Sequence, residues 1–269
     1  MHILTGLPRA GSTLLCNILN QNPKFKATST SNLCKLLTSV SNLASTSFEY
    51  KAELDRDKNG ATERLVRTLK AMVENWHNTD KVIFDKSREW SHHILMLRQL
   101  YPDCKVICMV RDLRNVFASI EKQHRKSPVF DSAVNATQKT IETRGDTMFA
   151  KDGLIGHPLE GINDLRQRNH NGVLFVQYET LAKNPQLVMD KIYELIGEEP
   201  FKHDFDNVKN TAEEPDGFYL HKFPHKGEGK VVEQDKREWE KFVSQDIADG
   251  IMNNFSPYNQ YFGYEEVNK

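Results

Sequence analysis

Short apolar runs alternate along the chain with stretches of helical spacing. The runs, each expected to be a buried strand, cover residues 2–5, 82–85, 105–110 and 173–178. The helical stretches that follow them cover about 12–20, 88–100, 113–125 and 185–196. Buried strands that alternate with helices are typical of a mostly parallel sheet covered on both faces. The pattern therefore predicts an α/β fold of three layers.

Three segments depart from this alternation. Residues 26–48 are rich in Ser, Thr and Asn, residues 61–77 have helical spacing, and residues 126–171 are polar with weak periodicity. No linker or shift in composition divides the chain, so we expect residues 1–269 to form a single domain, with inserts at 26–80 and 126–171.

Composition and charge exclude several classes of protein. The 36 basic and 37 acidic residues give a net charge of −1, which argues against nucleic acid or an anionic membrane as the main partner. No segment approaches the roughly 20 apolar residues of a membrane span, and no signal-peptide pattern is found. The four cysteines form no CxxC pair, and no Cys/His cluster has zinc spacing. We therefore expect a soluble, cytoplasmic protein without a metal site.

A glycine-containing loop follows the first predicted strand. Gly6-Leu7-Pro8-Arg9-Ala10-Gly11-Ser12-Thr13 fits G-x-x-x-x-G followed by Ser-Thr, which between a strand and a helix favours phosphate binding by backbone N–H groups and the helix N-terminus. Ser12 stands where loops that hydrolyse ATP or GTP have a lysine, so Arg9 is the only cation of the loop. This suits one phosphate group with its leaving substituent better than a triphosphate. The alternative is a turn that merely links strand to helix.

A second group of polar residues follows the third predicted strand. Arg111 comes directly after this strand, and Ser119 lies about two turns into the next helix. A guanidinium and a hydroxyl at this end of the sheet suit a second phosphate group. The alternative is that Arg111 pairs with Asp112 or another carboxylate and that Ser119 is an ordinary helix-surface residue.

Together the two motifs resemble those of the sulfotransferases that use 3′-phosphoadenosine 5′-phosphosulfate (PAPS). In that family a loop P-[RK]-[SA]-G-[ST]-T holds the 5′-phosphosulfate, and a segment R-D-x-R-x-x-x-x-S holds the 3′-phosphate. Similar segments elsewhere are Phe84-Asp85-Lys86-Ser87, Leu97–Lys105, and Gln177–Leu181 followed by Asn184-Pro185. The resemblance spans about residues 2–200 and is closest in motif to the tyrosylprotein sulfotransferase branch.

The resemblance implies a P-loop fold with a mostly parallel central sheet, and a role for each matching residue. The 5′ end of the nucleotide would bind the loop residues Pro8, Arg9, Ala10, Gly11, Ser12 and Thr13. The remaining nucleotide contacts would come from Arg111 and Ser119 at the 3′-phosphate, from Tyr178, and from a closing loop with Lys226 and Gly227. Arg9 and Lys86 would stabilise charge at the transferring group. The closing loop matches only loosely, and a solvated charged turn is its alternative.

The donor would be PAPS, the nucleotide product adenosine 3′,5′-bisphosphate (PAP), and no metal would be required. The family uses a Glu after the first helix or a His after the second strand as general base, but residues 27–31 hold neither a carboxylate nor an imidazole. His92 is the candidate base, with His93 beside it. Other candidates are Asp85, His221 and His225.

The acceptor and the reaction class leave alternatives open. The inserts at 26–80 and 126–171 are expected to form the acceptor site, and a sugar, a peptide tyrosine and a small alcohol fit them equally. A P-loop kinase for small molecules and a catalytically silent nucleotide-binding protein are the competing functions. Magnesium and ATP dependence would identify the kinase, and nucleotide binding without turnover would identify the silent protein.

Overall fold

A five-stranded parallel sheet forms the centre of the protein. The computed structural model describes residues 1–126, 140–168, 171–218, 224–225 and 227–264. The strands are β1 His2–Gly6, β2 Phe25–Thr30, β3 Val82–Lys86, β4 Val106–Val110 and β5 Val173–Gln177. Their order is β2-β3-β1-β4-β5, and every neighbouring pair is parallel. The prediction of a mostly parallel sheet is therefore confirmed, with β1 in the middle.

Helices flank this sheet. Those of the first half are α1 Ser12–Leu19, α2 Leu33–Thr46, α3 Phe48–Arg56, α4 Lys58–His77, α5 Ile94–Leu100 and α6 Leu113–Lys126. Those of the second half are α7 Ile141–Phe149, α8 Gly156–Gln167, α9 Tyr178–Lys183, α10 Pro185–Ile196, α11 Gln245–Asn254 and α12 Ser256–Phe262. Two 3-10 turns cover Arg88–His92 and Glu238–Lys241. Within the described ranges, none of these helices combines the length and the apolar character that a membrane span requires.

Two sequence-based predictions need correction. The polar segment 26–48 begins with β2, which alternates buried Phe25 and Ala27 with polar residues. This alternation places the apolar residues on one face of the strand, so β2 has no continuous apolar run. The single helix predicted over 88–100 is a 3-10 turn followed by α5, with a break at His93, whose backbone is not helical (φ −123°, ψ 25°).

Strand β4 shows why the apolar runs were informative. All five of its residues are at most 1% exposed, because β1 and β5 pair with its edges and helices cover its faces. Cys108 lies at its middle, and burial raises the pKa of its thiol well above the usual range. This fits the interpretation of Cys108 as a small core residue.

The end of β1 lies unusually close to β4. Gly6 has a φ of +131°, and a Cβ at this position would lie 2.1 Å from the carbonyl oxygen of Met109. The next residue, Leu7, donates its N–H to that same oxygen at 2.9 Å. Only glycine allows this approach, which aims the following loop across the carboxyl end of the sheet.

After α10 the chain returns to α1 as an irregular return segment, residues 201–218. Asn17 is fully buried, and its Oδ1 accepts hydrogen bonds from the N–H groups of Thr211 (2.9 Å) and Ala212 (2.8 Å). Its Nδ2 donates to the carbonyl oxygen of Gly227 at 2.7 Å. One amide side chain therefore replaces secondary structure as the partner of three backbone groups, and it fixes the return segment beside the glycine-containing loop.

Gly6→Ala is expected to lower the free energy of unfolding by about 2–4 kcal/mol, because the methyl group collides with β4 and the backbone stays in a region that alanine disfavours. Urea unfolding measures this loss. Gly250→Ala in α11 is the control, since no atom lies within 4 Å of its added Cβ. The control is expected to be neutral or stabilising by up to about 1 kcal/mol. Equal stability of the two variants would contradict the close approach at Gly6.

Asn17→Ala is expected to cost about 2–4 kcal/mol, since it leaves the N–H groups of Thr211 and Ala212 and the buried carbonyl of Gly227 without their partner. Hydrogen exchange should accelerate at the amides of Thr211 and Ala212, which can be followed by NMR or mass spectrometry. Asn75→Ala is the control, because Asn75 is exposed and bonds only within α4, to the carbonyl of Ala71. Unchanged exchange at residues 211 and 212 would refute the role given to Asn17.

Candidate functional site

A cavity of about 870 Å³ lies at the carboxyl ends of β1, β3 and β4. Its wall contains the loop after β1, residues 86–88 after β3, Arg111 after β4, one side of α6, and residues 214–216 of the return segment. Ligands of open α/β sheets bind at this end of the strands. The cavity is therefore the candidate site.

The loop between β1 and α1 has the backbone of an anion-binding turn. Arg9 (φ 59°) and Gly11 (φ 82°) both adopt left-handed conformations. Helix α1 begins directly afterwards, and the N–H groups of its first turn have no acceptor within the helix. The cavity wall includes Pro8, Arg9, Gly11, Ser12 and Thr13, whereas Ala10 is fully buried and lies outside it.

Lys86 brings a buried positive charge to this loop. It is the last residue of β3 and 6% exposed, and its Nζ donates to the hydroxyl of Thr13 at 3.1 Å. The same Nζ donates to Oε1 of Glu214, from the return segment. The ammonium group, the hydroxyl and the N-terminus of α1 therefore converge on one small volume.

Glu214 is the acidic group of that volume. Its Oε2 accepts the backbone N–H of Thr30 at 3.1 Å, and its Oε1 lies 3.4 Å from the hydroxyl oxygen of Thr13. Burial alone would raise the pKa of Glu214, but the charge of Lys86 and the hydrogen bonds from Lys86 and Thr30 outweigh it and lower the pKa. The carboxylate is therefore ionised near neutral pH.

A second cationic cluster is formed by Arg9, Arg111 and Ser119. Nη1 of Arg111 donates to the carbonyl of Arg9 at 2.7 Å, and Nε of Arg9 donates to the hydroxyl of Ser119 at 3.2 Å. Burial, and then the charge of Arg111, lower the pKa of Arg9. Nε of Arg111 is buried and has no hydrogen-bond partner among the described residues. Two adjacent guanidinium groups with a spare donor favour the binding of an anion.

Other residues hold Arg111 in place. The hydroxyl of Tyr258 donates to the Arg111 carbonyl at 2.9 Å, and Gln234 accepts from Nη2 of Arg111 at 3.0 Å. Asp112 binds Arg114 instead, at 2.8 Å, so the alternative in which Arg111 pairs with Asp112 does not apply.

Tyr178 closes the space between the two clusters. It is the first residue of α9, and the guanidinium carbon of Arg111 lies 4.5 Å from the centre of its ring. A Cβ on Gly11 would come within 2.5 Å of the same ring. The glycine therefore permits both the left-handed turn and the contact with Tyr178.

The histidine chosen from the sequence is not in the cavity wall. Nε2 of His92 lies 3.0 Å from the carbonyl oxygen of His157, and the two imidazole rings stack with centroids 4.1 Å apart. His93 is also absent from the wall, and burial lowers its pKa. Asp85 is fully buried and accepts a hydrogen bond from the indole of Trp90 at 2.7 Å. The assignment of the base to His92 is therefore not supported by the geometry.

The C-terminal candidates have different positions. His225 lines the cavity, and its Nδ1 donates to Asp216 at 2.6 Å. Gly227 lies against the first turn of α1, where a Cβ would be 3.0 Å from the N–H nitrogen of Leu14, but it is not in the wall. Lys226 and His221 lie outside the described residues.

Sequence reasoning missed Glu214 and Gln234. Glu214 lies in the stretch 199–230, which has no regular pattern, and its position depends on the hydrogen bonds of Asn17. The acidic cluster Glu213-Glu214-Pro215-Asp216 was the only available signal, and such clusters are usually solvated. Among the residues that the structure describes, no group of three His, Cys, Asp or Glu side chains has the arrangement of metal ligands.

Solved structures share this fold. The chain is similar to the sulfotransferase domain of the Synechococcus PCC 7002 olefin synthase, with 18% identity, a TM-score of 0.53, and coverage of 95% of this chain and 94% of that one. It is also similar to mouse sulfotransferase SULT7A1 complexed with PAP, with 12% identity, a TM-score of 0.53, and coverage of 96% and 84%. Likeness at these identities shows the fold, which is the P-loop-like fold that was predicted. A search of curated proteins found no match.

Comparison of the sequence with family models identifies the family. A family model described as "Sulfotransferase family" matches residues 3–203, which is more than half of the chain. The matched range contains the glycine-containing loop, Lys86, Arg111, Ser119 and Tyr178, and all of these except Ala10 of the loop line the cavity. The chain therefore belongs to the sulfotransferase family.

Proposed function

We propose that this protein transfers a sulfuryl group from PAPS to a hydroxyl acceptor. The observation that carries the proposal is that one cavity contains two separate cationic clusters, Lys86 with the loop and Arg9 with Arg111 and Ser119. PAPS is anionic at two points, the 5′-phosphosulfate and the 3′-phosphate. Membership of the sulfotransferase family supports the same chemistry.

The residues present fit such a donor. Within the part of the chain that the structure describes, Nε of Arg111 is a buried donor without a partner, which suits an additional acceptor such as the 3′-phosphate. Ser119 would share this group, and the loop from Pro8 to Thr13 would hold the 5′ end with its N–H groups. Tyr178 would pack its ring beside the nucleotide, as its contact with Arg111 suggests.

The proposed catalysis depends mainly on positioning and charge. Sulfuryl transfer resembles phosphoryl transfer, with entering and leaving oxygens in line and charge spread over the peripheral oxygens. Lys86 and the loop N–H groups would stabilise the charge that develops on the leaving phosphate oxygen, and Arg9 would add a second cation. Because these groups supply the positive charge, we propose that transfer requires no magnesium ion.

The acceptor site would lie between the two inserts. Thr30 from the first insert and Leu154 from the second both reach the cavity wall. Helices α2 to α4 and helices α7 and α8 would therefore surround the acceptor, which we propose to be a sugar, a peptide tyrosine or a small alcohol. The motif resemblance to the tyrosylprotein branch favours testing a tyrosine peptide first.

Wild-type protein is expected to bind PAP with micromolar affinity in calorimetric titration with EDTA present. Arg111→Ala should weaken binding by about 2 kcal/mol or more, roughly thirtyfold, because it removes a charged hydrogen-bonding group. Arg98→Ala is the control, since Arg98 lies on α5, outside the cavity wall, and bonds the carbonyl of Asn171. Its affinity for PAP should equal that of the wild type.

The same titration distinguishes the competing functions. Binding of magnesium-ATP without binding of PAP would overturn the proposal in favour of a kinase. Binding of PAP without any loss of sulfate from ³⁵S-labelled PAPS would indicate a silent nucleotide-binding protein.

A further inference from the structure

We propose that Glu214 is the general base that takes the proton of the acceptor hydroxyl. This inference rests on the proposed function, because a base is needed only if a hydroxyl is the nucleophile. A neutral hydroxyl must lose its proton as its oxygen bonds to sulfur, and a positioned carboxylate or imidazole supplies the acceptor for that proton.

The choice follows from the acidic and imidazole groups of the cavity wall. In the described part of the chain these are Glu214, Asp216, His225 and Glu238. Asp216 and His225 bind each other at 2.6 Å, and Glu238 binds Lys122 at 2.9 Å. Glu214 contacts both Lys86 and Thr13, where the sulfuryl group is expected.

The carboxylate is also held in a defined orientation. Its Oε2 accepts the N–H of Thr30 at the end of β2, while its Oε1 faces Lys86 and Thr13. The segment 27–31 contains no carboxylate or imidazole that could accept the proton. Glu214 therefore brings a carboxylate from the return segment to the end of β2, and its Oε1 becomes available to the acceptor once Nζ of Lys86 turns to the donor.

The step balances with these groups alone. The acceptor O–H transfers its proton to Oε1 of Glu214 as the acceptor oxygen forms a bond to sulfur. The bond between sulfur and the bridging oxygen breaks, and its electron pair stays on the 5′-phosphate of PAP. Glu214 then releases the proton to solvent.

Lys86 links the donor to the base. Without the donor it neutralises Glu214 and contributes to the low pKa of this carboxyl group. When Nζ turns towards the bridging oxygen of the donor, Glu214 loses that stabilising charge and becomes a stronger base. Glu214 would therefore become a stronger proton acceptor only after the donor has bound.

Glu214→Gln tests the proposal, because it keeps the size of the side chain and removes its ability to accept a proton as a carboxylate. The probes are PAP in calorimetry and ³⁵S-labelled PAPS in single-turnover assays, with 4-methylphenol and with water as acceptors. We expect the rate constant of transfer to fall at least about 100-fold. The affinity for PAP should stay within threefold of the wild type or become tighter, since a negative charge is removed from an anion site.

The pH profile provides a readout that a structural role would not change. The wild-type rate should fall in acid as Glu214 becomes protonated, and Glu214→Gln should lack this fall. Glu213→Gln is the matched control, because the neighbouring carboxylate is exposed and outside the cavity wall. It should retain the wild-type rate, affinity and pH profile.

The outcomes separate this proposal from the proposed function. If the wild type binds PAP and transfers sulfate, and Glu214→Gln does so within threefold or faster, Glu214 is not the base. If the variant retains PAP binding but loses transfer, the base is supported. If the wild type neither binds PAP nor consumes PAPS, the proposed function fails and the base proposal fails with it.

Discussion

The site depends on one buried amide. Asn17 forms hydrogen bonds with three backbone groups, those of Thr211, Ala212 and Gly227, which lie in irregular parts of the chain. Its hydrogen bonds bring Thr211 and Ala212 against α1, and Glu214 follows two residues later. Loss of this contact would therefore displace the segment that carries the central carboxylate of the cavity.

The electrostatics of the cavity contrast with the near-neutral chain. Three cations of the wall, Arg9, Lys86 and Arg111, come from three different strand ends, and the parallel sheet brings them together. Lys86 forms an ion pair with Glu214, whereas Arg9 and Arg111 donate their hydrogen bonds mainly to carbonyl and hydroxyl oxygens. Carbonyl dipoles orient a guanidinium group without neutralising it, so that end of the cavity keeps its attraction for an anion.

The sequence predicted those parts of the structure that local patterns determine. The apolar runs of β1, β3, β4 and β5 identified these four strands, and the loop and Arg111 motifs identified two sides of the cavity. Strand β2 was missed because it alternates buried Phe25 and Ala27 with polar residues and so has no continuous apolar run. Glu214 was missed because its position depends on hydrogen bonds between residues nearly 200 positions apart. His92 lies outside the cavity wall because proximity in sequence to β3 does not by itself place a side chain in the cavity.

The return segment also has a consequence for how the family can diversify. The region that identifies the chain as a sulfotransferase ends at residue 203, before Glu214. The proposed donor-binding residues Arg9, Lys86, Arg111 and Ser119 and the proposed proton acceptor are therefore encoded in separate stretches of the gene. Mutation can change the acidic group, or the length of the segment that carries it, while the donor site is preserved. Two proteins with identical donor motifs could then differ in the acidity of the hydroxyl groups they are able to sulfate.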